Sequence, residues 1–388
     1  MLDFTSALYL GLRHSHGALR PWAQLTTGVP AALEPAPEAV ALAQDLAQFL
    51  GRERATLAPS TLHLFWDLFD VLKHRRIAIY AEAGVYPIAR YGVERAAAKG
   101  VPTSTVPAHD PAALASLLQR DRAIRRRPVV VTDGLCAATG QIAPLADYLG
   151  LVRERNGYLV VDDTQALGIL GANPGPECPY GRGGAGTPAW SGVQGPELIV
   201  GSSLAKGFGA PLAVLAGSAE VVAKFEELSA TRVHSSPPSL AVISAAQRAL
   251  AINRRHGDAL RNRLADLVRR FREGLRRLGY SGCGSLFPFQ TLCSIPGVDP
   301  TALYRRLLGL GIRGVLRSLR RPPGAALSFL ITALHSQSDV ERCVDLLQRS
   351  CALLRQERSG SRQTLSRAGL GVLAGTRPRN AQWEAEHE

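Results

Sequence analysis

Five short apolar runs, rich in β-branched residues, recur through the first two thirds of this chain and constrain its fold more than any other feature. They are RIAIYA (76–81), PVVVTDG (128–134), YLVVDD (158–163), ELIVGSS (197–203) and LAVLAGS (212–218). Segments with helical spacing, such as APLADYLGLVRERNG (143–157), separate several of them. Continuous apolar strands joined by helices are buried on both faces, so we predict an α/β protein with a mostly parallel sheet flanked by helices.

The pattern of elements changes two thirds of the way along the chain, which indicates more than one domain. We predict an N-terminal arm over residues 1–45, a large domain over 46–240 and a smaller C-terminal α+β domain over 241–356. A long amphipathic helix over 256–280 is predicted near the beginning of the small domain. Residues 357–388 are polar, rich in Gly and Arg and weakly periodic, so we predict a disordered tail.

The 388-residue chain carries 45 Lys and Arg against 32 Asp and Glu, a formal charge of +13. The arginines are scattered over helical segments without a nucleic-acid-binding motif, so no nucleic-acid partner is predicted. No apolar run reaches about 18 residues and the first residues lack the pattern of a signal peptide, so no membrane association is expected. The six cysteines include no CxxC pair, which predicts reduced thiols, no bound metal and a cytoplasmic location.

Asp162 and Lys206 are the two residues that point to chemistry. Asp162 ends an apolar strand, and Lys206, one of four lysines, follows the next predicted strand within GSSLAKGFGA (201–210). Since the carboxyl ends of parallel strands meet at one edge of a sheet, both side chains are expected at a ligand site there. The carboxylate suits a metal, a ribose or a protonated ring nitrogen, and a desolvated lysine amine can condense with an aldehyde.

Each of these residues also has a simpler interpretation. Asp162 could cap a helix or a turn, and Lys206 could be a surface lysine. Ser203 and Lys206 also form an S-x-x-K pattern, the nucleophile motif of penicillin-binding proteins and related β-lactamases. That family needs S-D-N and K-T-G as well, and the chain contains neither string. The pairing of Asp162 with Lys206 at two strand ends favours the ligand site.

Six segments in a fixed order carry a resemblance to a known family. They are LYLGL (8–12), TDGLCAATGQIAPLADYLGL (132–151), YLVVDDTQALGILG (158–171), GSSLAKGFGAPLAVLAGS (201–218), HSSPPSLA (234–241) and ITALHSQSDVER (331–342). The chain resembles the α-oxoamine synthases, pyridoxal-phosphate-dependent enzymes of the aspartate-aminotransferase fold (fold type I) that include 8-amino-7-oxononanoate synthase. The resemblance covers roughly residues 5–350.

The resemblance implies pyridoxal 5'-phosphate as the cofactor and a role for each site residue. Lys206 would form the Schiff base with the cofactor, Asp162 would pair with its pyridinium nitrogen, and Gln165 would hydrogen-bond its phenolic oxygen. Tyr86 would stack on the cofactor ring, and Ser203 would bind the phosphate.

The resemblance also implies that two further segments contact a cofactor phosphate. Ser60, Thr61 and Leu62 fall where a family turn offers backbone N–H groups to the phosphate. Ser235 and Ser236 fall in a segment that, in the family, reaches the phosphate of the neighbouring subunit, which implies a homodimer.

Four features of the chain depart from the family pattern, one of them a missing glycine-rich turn, in whose place QLTTGVPAALEP (24–35) stands. Gln165 replaces a His that can move protons, whereas a Gln cannot do so at neutral pH. Ala137 stands at the position of a family Ser. Ala326 and Ser328 stand near the position of the Arg that holds the amino-acid carboxylate, so another arginine is needed there. The candidates for that arginine are Arg317, Arg320 and Arg321.

The family reaction joins an amino acid to an acyl thioester, such as an acyl-CoA or an acyl-carrier thioester, with loss of CO2. The resemblance therefore implies a pyridoxal-phosphate-dependent acyltransferase that acts in biosynthesis. The departures from the family pattern leave two alternatives open. One is an aminotransferase or lyase of the same fold, and the other is a catalytically weakened paralogue that still binds the cofactor.

Overall fold

A seven-stranded mixed sheet lies at the centre of the molecule. The structure, a computed structural model, describes residues 1–73, 75–136, 139–320 and 323–369. The strands found there are β1 (Leu2–Asp3), β2 (Arg54–Ala58), β3 (Ile77–Glu82), β4 (Thr103–Val106), β5 (Arg127–Asp133), β6 (Tyr158–Asp162), β7 (Leu198–Ser203), β8 (Ala213–Gly217), β9 (Gly282–Cys283), β10 (Phe289–Leu292), β11 (Ile312–Arg313), β12 (Val315–Arg320) and β13 (Pro323–Leu330).

The large sheet has the strand order β2-β8-β7-β6-β5-β3-β4. Strands β3 to β7 run parallel to one another, and β8 runs antiparallel to both of its neighbours, β2 and β7. Each of the five apolar runs forms one of these strands, so the predicted mostly parallel sheet is confirmed. The sequence pattern did not predict β4, because this edge strand is short and largely accessible to solvent.

Helices cover both faces of the large sheet and also build the rest of the molecule. They are α1 (Pro37–Phe49), α2 (Thr61–Lys73), α3 (Pro87–Ala98), α4 (Pro111–Arg120), α5 (Leu145–Arg153), α6 (Thr187–Trp190), α7 (Ala219–Leu228), α8 (Ala230–His234), α9 (Leu240–Arg277), α10 (Pro300–Gly309) and α11 (Gln337–Gly369), with short 3-10 helices at His16–Ala18 and Asp121–Ile124.

Neighbouring residues of one strand pack into two different cores. Val129, Val131 and Val160 pack with α2 and α3 on one face of the sheet. Val130 and Leu159 pack with α4 and α5 on the other face. Since successive side chains of a strand point to opposite faces, burial of both faces is what makes these strands continuous apolar runs.

A smaller α+β unit follows the large sheet. Its four-stranded antiparallel sheet has the order β12-β13-β10-β9 and packs against α10. The predicted helix over 256–280 is wrong at its beginning, because α9 already starts at Leu240. The Ser239 hydroxyl caps this start by accepting a hydrogen bond from the Val242 N–H at 3.3 Å. The domain boundaries named above stay predictions.

Both ends of the chain contain regular secondary structure. β1 pairs in parallel with β11, and α1 begins at Pro37, before the predicted end of the arm at residue 45. Part of the predicted disordered tail, residues 357–369, is helical as the end of α11, because no proline interrupts it. Residues 370–388 lie outside the described residues.

The structure also bears on the expectations for the cysteines, for membrane-spanning helices and for metal ligands. Cys136, Cys178, Cys343 and Cys351 are free thiols, but Cys293 is disulfide-bonded, so the prediction of reduced cysteines is wrong at that residue. Among the described residues, no helix is long and apolar enough to cross a membrane. Within the same residues, no cluster of His, Cys, Asp and Glu is placed to hold a metal ion.

A buried arginine on α9 anchors the loop that follows β6. The Arg261 Nη1 donates to the Gly168 carbonyl at 2.9 Å and to the Asn253 Oδ1 at 2.8 Å. The Asn253 amide donates in turn to the Gly183 carbonyl at 2.9 Å. Gly184 lies so close that a Cβ there would stand 2.5 Å from the Arg261 Nη1, and its φ of +79° also requires glycine. This contact holds the loop next to the end of β6.

We expect Arg261→Met to destabilise the fold by about 3 kcal/mol, because it leaves buried Asn253 and the Gly168 carbonyl without their charged partner. Urea unfolding followed by circular dichroism measures the change in the free energy of unfolding. The matched control is Arg349→Met, which removes an arginine from an exposed pair with Asp345 and should cost less than about 0.5 kcal/mol. Equal losses in the two variants would contradict the anchoring role of Arg261.

Candidate active site

The carboxyl ends of β5, β6 and β7 place several polar side chains at one edge of the large sheet. Asp133 lies directly opposite Asp162 in the parallel register, and Asp162 lies opposite Gly201. Lys206 follows the end of β7 after three residues. The structure therefore brings Asp162 and Lys206 to the same edge, with Asp133 beside them.

The Lys206 amine is partly buried and faces two carboxylates. Its Nζ lies 5.9 Å from the centre of the Tyr86 ring. Burial lowers the pKa of Lys206, and the negative charges of Asp162 and Asp133 oppose that shift without cancelling it. A lowered pKa increases the fraction of neutral amine, which is the nucleophilic form that reacts with a carbonyl.

Asp162 is almost fully buried at the end of β6. Burial raises the pKa of its carboxyl, whereas the hydrogen bonds from Thr164 and the charge of Lys206 lower it. Its Oδ1 accepts a hydrogen bond from the Thr164 N–H at 3.1 Å. A carboxylate with so little solvent is costly to keep charged, and a bound cation or protonated ring nitrogen would offset that cost.

Asp133 is a site residue that the sequence reasoning missed. Both of its carboxyl oxygens accept the Tyr86 N–H, at 3.1 Å each. Burial and the neighbouring charge of Asp162 raise the pKa of Asp133 to about 7. The signal was present in the sequence, since Asp133 ends the apolar run PVVVTD as Asp162 ends YLVVD.

Gln165 and Ser203 are held by contacts within the site. The buried Tyr9 hydroxyl donates to the Gln165 Oε1 at 3.1 Å. The Ser203 N–H donates to the Thr164 Oγ1 at 3.0 Å, and the Ser203 Oγ accepts the Ala205 N–H at 3.2 Å. Gln165 thus has a fixed orientation that depends on a residue near the N-terminus.

The predicted phosphate-binding turn lies at the same edge of the sheet. Ser203 pairs with Ala213, and Ala213 pairs with Ala58, so these three residues form one row across the sheet. Ser60 follows that row, and its hydroxyl hydrogen-bonds the His63 Nδ1 at 2.9 Å. Thr61, partly buried, begins α2 and Leu62 is exposed, so the first backbone N–H groups of this helix face the edge where an anion would be favoured.

Ser235 and Ser236 lie apart from the other site residues. The Ser235 hydroxyl donates to the Thr231 carbonyl at 2.6 Å, and Ser236 is exposed. Among the described residues, no hydrogen bond joins either serine to Lys206 or Asp162. Their predicted contact with a phosphate stays a prediction.

One of the three arginines expected to replace the missing family Arg, Arg317, lies on β12. The Arg317 Nη2 donates to the Thr291 Oγ1 at 3.2 Å, and that oxygen lies 2.9 Å from the Ser328 Oγ. The Arg317 guanidinium stands 5.0 Å from the centre of the Phe289 ring and interacts electrostatically with Cys136. Cys136 follows Asp133 by three residues, so Arg317 faces the site.

Other positions named in the sequence analysis have different outcomes. Ser328 is fully buried on β13, and Ala326 is nearly so. Ala137 and Arg321 lie outside the described residues, and the Arg320 side chain does as well. Of the three arginine candidates, Arg317 is the one whose side-chain contacts lie within the described residues, and its role stays a prediction.

Comparisons with known proteins agree with this arrangement. A family model for aminotransferase class I and II matches residues 24–347. The 8-amino-7-oxononanoate synthase of Alcanivorax borkumensis is 35% identical over 240 residues, which cover 61% of this chain and 58% of that relative. The enzyme of the same name from Methylococcus capsulatus is 30% identical over 323 residues, which cover 79% of this chain and 76% of that relative.

Solved structures show the same fold. Serine palmitoyltransferase from Sphingomonas wittichii has a TM-score of 0.77 at 18% identity, covering 91% of this chain and 87% of that one. The 8-amino-7-oxononanoate synthase from Francisella tularensis has a TM-score of 0.69 at 17% identity, covering 91% and 98%. At these identities the likeness concerns the fold alone.

The family match extends over most of the chain, and the chain therefore belongs to the aminotransferase class I and II family. It is a pyridoxal-phosphate-dependent transferase of this family. The resemblance to the 8-amino-7-oxononanoate synthase group that the six sequence segments indicated is confirmed.

The raised pKa of Asp133 predicts a pH-dependent stability of the protein without cofactor. The ordinary pKa is 3.8 and the folded value about 7, so between these pH values the folded chain holds a proton that the unfolded chain has lost. Its stabilising contribution is present at low pH and is lost as the pH rises through about 7. We expect Asp133→Asn to gain stability relative to wild type between pH 5 and pH 8, as measured by urea unfolding.

The control for this prediction is Asp345→Asn, which changes an exposed carboxylate and should leave the pH dependence unaltered. Asp163, whose pKa burial also raises to about 7, contributes the same dependence to all three proteins. A constant difference between Asp133→Asn and wild type at both pH values would show that Asp133 does not titrate as described.

Proposed function

We propose that this chain is an acyltransferase of the α-oxoamine synthase type, which joins an amino acid to an acyl thioester. The observation that carries the proposal is the buried Lys206 amine beside Asp162 at the carboxyl edge of the sheet. The relatives named 8-amino-7-oxononanoate synthase support an acyl thioester as the second substrate.

The residues at this edge fit pyridoxal phosphate. Asp162 offers a buried carboxylate for a protonated ring nitrogen, and the Tyr86 ring offers an aromatic face beside Lys206. The beginning of α2 and the Ser203 hydroxyl offer donors for a phosphate. When bound, the cofactor supplies an electron sink that stabilises negative charge at the α-carbon of the amino acid.

Proton transfer in this site is assigned to Lys206 and Asp133. Gln165 has no titratable group, and its carbonyl oxygen already accepts the Tyr9 hydroxyl, so its NH2 group is the end left to donate a hydrogen bond. The Lys206 Nζ and the Asp133 carboxyl both have pKa values shifted toward neutrality, as groups that accept and release protons require. Gln165 acts by hydrogen bonding alone.

Arg317 is assigned to bind the carboxylate of the amino-acid substrate. Ala326 and Ser328 lie near the position of the family arginine, and Arg317 reaches the Thr291–Ser328 hydroxyl pair from the adjacent strand β12. Its Nε is buried and has no hydrogen-bond partner among the described residues. A guanidinium with unused donors binds a carboxylate through two parallel hydrogen bonds, which also orients the substrate.

We expect Arg317→Ala to weaken amino-acid binding about 50-fold, because a charge-assisted pair of hydrogen bonds is lost. Arg317→Lys should bind with intermediate affinity, since it retains the charge but not the planar fork. Titration of amino acids against the absorption of the bound cofactor gives the dissociation constant.

The control for this titration is Arg305→Ala, which removes an exposed arginine of α10 and should bind amino acids as the wild type does. The cofactor absorption before amino-acid addition should be the same in all variants. Unchanged amino-acid affinity in Arg317→Ala would assign the carboxylate to another residue.

The cofactor assignment predicts a coloured protein. Addition of pyridoxal phosphate should give a visible absorption band that borohydride abolishes, and Lys206→Ala should lack this band, because it has no amine at that position. Lys224→Ala, which removes an exposed lysine on α7, is the matched control and should keep the band. A wild-type protein that stays colourless with pyridoxal phosphate would overturn the cofactor assignment.

The reaction class is tested by incubating the coloured protein with amino acids and either acyl-CoA or a keto acid. Release of CO2 and free CoA supports the acyltransferase. An aminotransferase is the second candidate, because Gln165 replaces the family His and cannot move a proton. Pyridoxamine phosphate formed with an amino acid, and consumed by a keto acid, would support that candidate. Cofactor binding without either reaction would indicate a catalytically weakened paralogue.

A homodimer is part of the proposal, because Ser235 and Ser236 reach no other site residue within the described part of one chain. Ser236 and the apolar side chains of Leu33 and Val233 are exposed in the single chain. A second subunit would cover them in a dimer. The cytoplasmic location stays a prediction.

A further inference from the structure

A cavity of about 450 Å³ opens at the opposite edge of the large sheet, around the amino end of β5. Five arginines line it: Arg122, Arg125, Arg126, Arg127 and Arg155. Arg127 begins β5 at the cavity, and Asp133 ends β5 at the candidate active site. The rise per residue of an extended strand therefore separates the two sites by about 20 Å. A molecule bound in this cavity is therefore separate from the cofactor and the substrates.

The positive charge of this cavity is not balanced by its acidic residues. Asp121 and Glu154 are the two carboxylates among the lining residues. Asp121 is already engaged, because it accepts the Arg120 Nε at 2.9 Å and the Tyr80 hydroxyl at 3.1 Å. The hydrogen bond from Arg120 lowers the pKa of Asp121, which keeps it charged and paired. Glu154 is left to face five guanidinium groups.

Two of the arginines are held at the cavity by backbone contacts. The Arg126 Nη1 donates to the Ile77 carbonyl at 3.4 Å, and Arg155 donates to the Leu118 carbonyl. The side chains of Arg122 and Arg125 make no hydrogen bond or ion pair with any described residue. Like charges gathered in a concave site repel one another and raise the local concentration of anions, so this cavity favours an anionic ligand.

We propose that this cavity binds a small molecule that carries two or more linked phosphate groups. A surplus of at least three positive charges matches a diphosphate or triphosphate better than a single phosphate. Planar guanidinium groups bind phosphate oxygens through paired hydrogen bonds. The volume is in the range of small-molecule sites.

A nucleic-acid strand fits this cavity less well than a small ligand does. Strand binding uses exposed aromatic rings on which bases stack. Tyr80 is the aromatic residue of the lining, and it is buried with its hydroxyl bonded to Asp121. The lining therefore offers charge without a stacking surface.

Calorimetric titration of the full chain, saturated with one equivalent of pyridoxal phosphate, tests the proposal. Pyrophosphate and ADP should each bind at one saturable site, and AMP should bind at least about tenfold more weakly. The double variant Arg122→Ala/Arg125→Ala should weaken pyrophosphate binding at least about tenfold. The control Arg276→Ala/Arg277→Ala removes the same charge from exposed positions at the end of α9 and should bind as the wild type does.

Other results would overturn the proposal. These are the absence of saturable pyrophosphate binding, equal losses in both double variants, AMP binding as tight as that of ADP, or binding of a short single-stranded RNA with no binding of pyrophosphate. If the double variant fails to fold, as judged by its melting temperature, Arg122→Gln alone should weaken pyrophosphate binding about fivefold. The visible absorption measures cofactor binding and calorimetry measures pyrophosphate binding. A failure of the cofactor assignment can therefore be distinguished from a failure of the cavity assignment.

Discussion

Burial of the parallel strands on both faces is the constraint on which the rest of this structure depends. Val129, Val130 and Val131 point alternately into two apolar cores, so no polar side chain has room in the middle of the strand. The charged groups of these parallel strands consequently lie at the strand ends. In β5 this places Asp133 at the carboxyl end and Arg127 at the amino end.

At the carboxyl edge of the sheet lie ionisable side chains whose charged forms are unfavourable when no ligand is bound. Burial lowers the pKa of Lys206 and raises the pKa values of Asp162 and Asp133, so each group is destabilised in its charged form. A cofactor with a cationic ring nitrogen would stabilise the charged carboxylates, and its aldehyde carbon would react with the neutral Lys206 amine. The amino edge has the opposite character, with five arginines and two carboxylates around one cavity, so the two ends of one sheet favour different ligands.

The small antiparallel sheet joins three polar side chains. Thr291 accepts a hydrogen bond from Arg317 on β12 and lies within hydrogen-bonding distance of Ser328 on β13. The assignment of Arg317 to a substrate carboxylate is part of the proposed function. The Tyr9 contact similarly gives Gln165 one orientation, which a freely rotating amide would not have.

The sequence by itself determined the five apolar strands, the mostly parallel sheet, and the positions of Asp162 and Lys206 at strand ends, because two-sided burial leaves a local pattern. Only the tertiary structure decided which distant residues meet. The Tyr9–Gln165 and Arg317–Thr291 contacts depend on chain packing and strand register, which no local pattern encodes. The charged cavity at the other edge likewise depends on packing, which brings Arg155 next to the arginines that precede β5.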